Sequence, residues 1–197
     1  MDQVEKWDNA AATLDLLGTG LDGRYGPYKR ELFAKVEGRV LLVAAGTGAD
    51  FAHFPDGLDI TAIDFSPKMV ERAKEKARHY TGRLDIVQAD VQRLPFPDDS
   101  FDTVVTSCTF CSVPEPVTGL RELHRVLRPD SQLLMFEHVR PGNFLLGLMM
   151  DLMTIVSRLV GPDLNRRTAD NIRRAGFQMT RDFNVYLDMV KIFEAQS

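Results

Sequence analysis

Runs of consecutive apolar residues alternate with amphipathic stretches along most of this chain. Val40–Ala45 is apolar throughout, the pattern of a strand buried on both faces rather than one that alternates between core and water. Leu58–Asp64 reads as a second strand that ends on an acid, and Leu84–Gln88, Phe101–Ser107 and Gln132–Val139 read as three more. Between them the period becomes helical. Ser66 and Pro67 open one helix, the hydroxyl as N-cap and the proline in the first turn. Over Lys68–Tyr80 its residues Met69, Val70, Ala73 and Ala77 fall near one face. Pro116 opens another helix that runs to Leu127 and stops before Pro129. A short helix is expected after a glycine turn, through Phe54, and another near Arg166–Ala175, followed by strands at Phe177–Phe183 and Tyr186–Phe193. Upstream, Asp8–Val36 reads as helical but broken near Gly18–Gly20 and again from Gly23 to Pro27. Strands alternating with helices predict an α/β fold, a parallel sheet with helices on both faces, in one domain over residues 1–197.

Asn143–Val160 departs from this rhythm, being apolar for most of its length. Asp151 and Arg158 interrupt it, which argues against a membrane span. Two readings remain: a buried core helix, or an apolar element on the substrate side, within an insertion over 141–165, that covers an acceptor or lies on a membrane surface. Met149, Met150 and Met153, with the more distant Met135, offer adaptable packing. The second reading favours a lipid-like or otherwise apolar acceptor.

Charge and cysteine usage narrow the partners. The 197 residues carry 24 Lys and Arg against 28 Asp and Glu, a net charge of −4, with no basic block, so nucleic acid is not an expected partner. The two cysteines, Cys108 and Cys111, have a Cys-x-x-Cys spacing but no second pair, so neither a disulfide framework nor a metal site is expected. The amino terminus has acids and no apolar run, unlike a secretory signal, and the expected compartment is cytoplasmic, with peripheral membrane contact under the second reading above.

The candidate chemistry lies where the strands end. Val40–Ala45 empties into a turn containing Gly46 and Gly48, where a ligand can approach the backbone closely. Asp64, at the end of the next strand, stands where an acid accepts hydrogen bonds from ribose hydroxyls. The two strand ends together predict a nucleoside site. The acid falls 18 residues after Gly46 (64 − 46), a separation that also suits a dinucleotide oxidoreductase. Gly-x-Gly-x-x-Gly fails, however: counted from Gly46 its last position is Phe51, and counted from Ala44 the opening glycine is missing.

Five segments in order, Val40–Gly48, Ala62–Asp64, Gln88–Asp90, Leu94–Asp102 and Leu120–Asp130, resemble the class I S-adenosylmethionine-dependent methyltransferases. Lys29–Phe33, Phe110–Val113 and Phe136–Val139 are similar to the small methyltransferase-like thiol methyltransferases, and bacterial phospholipid and quinone methyltransferases share much of the pattern. The resemblance implies a Rossmann-like fold with a seven-stranded, mostly parallel sheet whose last strand is antiparallel, and residues 1–36 as a helical cap. It implies S-adenosyl-L-methionine as cofactor, with Ala44, Gly46 and Gly48 beside the methionine half, Asp64 on the ribose and Phe65 flanking the adenine. Asp90 would bond the adenine amino group, Val91 would pack on the ring, and Ser107 and Cys108 would line the space around the sulfonium. Leu42 stands where an acid is usual, and Ala44, in place of the first glycine, is expected to serve only at negative φ. The implied reaction is in-line methyl transfer to a thiol, a phospholipid amine or a quinol. Tyr25 and His138 are the candidate catalytic residues, with Tyr28 and Glu137 also expected near the rim. A protein that binds adenosylmethionine with little turnover is the alternative.

Overall fold

The computed structural model describes residues 3–197, without the side chains of 10–22, 159 and 160. Seven strands form one sheet in the order β3-β2-β1-β4-β5-β7-β6. These are β1 (Arg39–Val43), β2 (Asp59–Asp64), β3 (Arg83–Gln88), β4 (Phe101–Ser107), β5 (Leu127–His138), β6 (Gln178–Tyr186) and β7 (Val190–Gln196). Strands β1 to β5 pair in parallel, and β7 inserts antiparallel between β5 and β6. The helices are α1 (Gln3–Phe33), α2 (Pro67–Ala77), α3 (Pro116–Val126), α4 (Phe144–Val160) and α5 (Thr168–Arg174), with a 3₁₀ turn at Ala49–His53.

The continuous apolar runs follow from having a core on each side of the sheet. Successive side chains of a strand point to opposite faces. Val40 and Leu42 of β1 therefore join one core with Leu32 and Phe33 of α1 and Ala73 of α2. Leu41 and Val43 join the other, with Leu120 and Leu123 of α3 and Ile172 of α5. Val105 and Val104 of β4, and Phe136 and Met135 of β5, divide between the two cores in the same way.

Two expectations are corrected here, and one of the two open readings of the apolar segment is removed. Helix α1 runs unbroken from Gln3 to Phe33 through Gly18–Gly20, Gly23 and Pro27. An internal proline costs a helix about 3 kcal/mol. Burial of Gly26, Leu32 and Phe33 and the edge contact of Tyr25 with the Phe136 ring offset that cost. Strand β5 starts at Leu127, not Gln132, and takes in Pro129; Leu127 pairs with Phe101 before a register shift restores regular pairing at Gln132 and Thr103. Finally, α4 is not a core helix. Phe144, Leu145, Leu152, Ile155 and Val156 are between 61% and 75% exposed. Asp151 is turned toward the body, pairing with Arg140 at 2.8 Å and accepting from Asn165.

Candidate active site

The site is assembled from the carboxyl ends of β1, β2, β4 and β5. At the end of β1 the chain turns sharply, with Ala44 at φ +55°, Gly46 at +55° and Gly48 at +80°. A Cβ on Gly48 would lie 2.5 Å from the Phe51 ring, whereas one on Gly46 would meet nothing within 4 Å among the described residues. Gly48 is thus needed for packing, while Gly46 presents bare backbone to open space. Ala44 does not have the negative φ expected of it. It sits in the left-handed region, which costs an alanine roughly 1–2 kcal/mol, because the strand-to-turn path demands that dihedral whatever the side chain.

Asp64 closes the turn from the neighbouring strand. Its Oδ2 accepts from the Gly46 N–H and its Oδ1 from the Ser66 N–H, both at 2.9 Å. Burial pushes the carboxyl's pKa up, against these backbone bonds, which pull it down. Ser66 caps α2, accepting from the Met69 N–H at 3.2 Å while its hydroxyl donates to Asp8 of α1 at 2.5 Å. Lys6 of α1 reaches the carbonyls of Arg158 and Gly161 at the far end of α4. The amino-terminal end of α1 therefore bridges from β2 to α4 across the strand ends. Asp90 is exposed, its Oδ1 accepting from the Gln92 N–H at 2.8 Å, and Phe65 is half-buried. Val91 is buried in the core shared with Phe110 and Val113.

A cavity of about 670 Å³ opens beside the turn, between α1, the 3₁₀ turn and the ends of β4 and β5. Tyr25, Lys29, Asp50, Cys108, Phe136 and His138 face it, together with Gly48 and the end of α2. Tyr25 and His138, the candidate catalytic residues, and Cys108, expected near the sulfonium, thus line one cavity. Asp64 and Asp90 lie outside this cavity, along the row of strand ends. Lys29 and Asp50 form an ion pair at 2.6 Å on its wall, with the Lys29 ammonium 5.3 Å from the Phe136 ring centre. Burial, with Lys29 adding to it, pushes the His138 pKa down. The Ser107 hydroxyl is buried and has no partner among the described residues.

Glu137 is fully buried and does not stand at the rim. Its Oε1 accepts from the Thr106 hydroxyl at 2.7 Å and the Thr109 N–H at 3.1 Å, and its Oε2 from the Phe110 N–H at 3.1 Å. One carboxyl thereby fixes the exit of β4, where Cys108 is held at φ +53°. Desolvation pushes its pKa up to about 7. Cys111 is buried, its thiol donating to the Cys108 carbonyl, with its pKa pushed up to about 12 by burial. Reasoning from sequence missed three contacts: the inward role of Glu137, the Lys29–Asp50 pair and the Asp8–Ser66 bond. Only Lys29 carried a signal, being four residues after Tyr25 and hence on the same helix face.

Comparisons with known proteins agree with this fold. A family model described as "Methyltransferase domain" matches residues 41–135. The ubiquinone/menaquinone biosynthesis C-methyltransferase UbiE of Geotalea daltonii is 35% identical over 148 residues, covering 70% of this chain and 63% of its own length. That of Ectopseudomonas mendocina is 30% identical over 189 residues, covering 86% and 73%. The chain thus spans less than two thirds of the first of these relatives. An S-adenosylmethionine-dependent methyltransferase from Aquifex aeolicus has the same fold, with a TM-score of 0.72 over 94% of this chain and 97% of that one, at 19% identity.

Proposed function

The chain belongs to the class I S-adenosylmethionine-dependent methyltransferases, and we propose that it methylates a small, lipid-like acceptor, a quinol ring. The observation that carries this reading is the adjacency of the Gly46–Asp64 turn to a cavity faced by Tyr25, Cys108 and His138. The residues present fit the family's cofactor. Gly46 leaves backbone open to a ligand, and the buried Ser107 hydroxyl awaits a partner. Asp64 would hold the ribose hydroxyls through lone pairs not used by the backbone, Asp90 the adenine amino group, and Phe65 and Val91 the ring. Ala44, Gly46 and Gly48 would border the methionine half, with Ser107 and Cys108 beside the sulfonium. Helix α1 would cap the cleft, tied down through Lys6 and Asp8.

When bound, adenosylmethionine supplies a methyl group on a sulfonium, which is already an activated leaving group. The protein's tasks are then alignment and exclusion of water. His138, with its pKa depressed below the ordinary imidazole value, is neutral at neutral pH and accepts a proton from the acceptor's ring hydroxyl at an imidazole nitrogen, so that the adjacent ring carbon takes the methyl. That carbon's own hydrogen then leaves as a proton, the ring oxygen is reprotonated and the aromatic ring is restored. Tyr25 and Phe136, packed edge to face at 5.5 Å, give the acceptor ring an aromatic wall. The names of the relatives support a quinol over a thiol or a phospholipid amine. A second reading, cofactor binding with little turnover, is favoured by Ala44 at positive φ and by Leu42 in place of an acid. Calorimetry with adenosylmethionine, its demethylated product and NADH tests the cofactor. Binding of the first two is expected; binding of NADH alone would refute the reading.

A further inference from the structure

Helix α4 is amphipathic the wrong way round for a globular protein. Its polar positions are fastened to the body. Asp151 pairs with Arg140 and Asn165, and the Thr154 hydroxyl accepts from the Leu164 N–H at 3.1 Å. Phe144, Leu148, Leu152 and Ile155 follow one another at helical spacing on the outer side, flanked by Leu145 and Val156, and all six are exposed. The stripe is unbroken by charge and runs nearly the length of a 17-residue helix, about 25 Å. The exposed Leu187 lies beside the amino-terminal end of α4, since the next residue, Asp188, accepts from the Gly142 N–H at 2.6 Å.

Charge distinguishes the two ends. At the carboxyl end of α4, Lys6 bonds the last carbonyls, and Arg158 and Arg166 both pair with Asp163. Among the described residues, cations outnumber acids at this end. An outward apolar stripe with a cationic margin is the pattern of a helix lying in the plane of a membrane interface. No described helix is long and apolar enough to cross a membrane. We propose that the outer face of α4 seats this protein on an anionic lipid bilayer, its apolar side chains at the acyl boundary and its cationic end among the headgroups. The seating is read from the helix alone; its use, drawing a lipid-soluble acceptor from the bilayer, rests on the function proposed above. Only the segment Val139–Asn143 separates α4 from His138 at the cavity.

The test is co-sedimentation of the full chain with phosphatidylcholine vesicles, with and without phosphatidylglycerol, alongside light scattering of the free protein. Binding is expected to the mixed vesicles and to weaken with salt. Leu145→Gln with Leu152→Gln should reduce partitioning by tenfold or more (about 25 cal/mol per Å² of apolar surface kept in water). These positions are exposed, so the melting temperature and adenosylmethionine affinity should hold. Arg158→Gln should weaken binding to anionic vesicles alone, by about fivefold. These readouts need no turnover, so a failure of methyl transfer leaves them standing. Absence of binding to either vesicle would overturn the proposal. So would a stable dimer that the Leu145→Gln, Leu152→Gln variant splits, which would make the face a contact between copies.

Discussion

Glu137 gives this protein a pH-dependent stability that a single substitution should remove. The carboxyl is fully buried between β4 and β5, and desolvation raises its pKa from 4.5 to about 7 despite three donors. The folded state therefore holds a proton that the unfolded chain releases between these values. A raised carboxyl contributes stability that is present below the unfolded pKa and is lost as pH rises through the folded one. From pH 5 to pH 8 the loss works out at about 2–3 kcal/mol. For a chain of this size that is a fall of roughly 5–10 °C in melting temperature. Glu137→Gln keeps the shape and an oxygen acceptor but cannot ionise. Its constant penalty, from turning an amide toward the Phe110 N–H, does not depend on pH. Urea unfolding of both proteins at pH 5, 6, 7 and 8 isolates the effect, since other titrating groups cancel in the difference. The gap between native and variant should shift by about 2–3 kcal/mol in favour of the variant toward high pH. A gap that stays constant would refute the buried, proton-holding carboxyl.

Further outcomes follow from the site. Ala44→Gly relieves the left-handed dihedral and should change stability by about +0.5 kcal/mol or more, net of glycine's greater freedom when unfolded; clear destabilisation in a melting experiment would contradict the positive φ. Asp64→Ala should weaken adenosylmethionine binding by roughly 1.5–3 kcal/mol, the scale for charge-assisted hydrogen bonds. Asp90→Ala should weaken it while sparing turnover at saturating cofactor, and calorimetry showing unchanged affinity in both folded variants would reject their roles. Cys108→Ser and Cys111→Ser should stay folded with cofactor binding largely intact, and stoichiometric zinc in the native chain, lost in these variants, would overturn that expectation.

The sheet was legible because its physics is local. Val40–Val43 and Val104–Val105 are apolar at consecutive positions, which only a strand covered on both faces requires. Ser66 and Pro67 announced α2 with equal clarity. The turn at Gly46 and Gly48 and the acid at Asp64 were readable for the same reason, since backbone geometry restricts which residues serve there. What the sequence concealed depends on distant partners. Pro27 and its neighbouring glycines look like a helix break until Tyr25 meets Phe136, more than a hundred residues away. The orientation of α4 hinges on which side Arg140 and Asn165 approach, and its composition alone fits a core helix equally well. Glu137 sits at the end of an apolar strand, where a rim position seemed natural; its burial follows from the donors gathered on the β4 exit.

Methyl transfer from isotopically labelled adenosylmethionine to a quinol, with the label located in the product by fragmentation mass spectrometry, tests the central proposal most directly. The account predicts one labelled methyl on a ring carbon, with turnover lost in His138→Ala while adenosylmethionine binding persists. Cofactor binding without any labelled quinol, or label carried instead by a thiol or an aminophospholipid offered alongside, would contradict it.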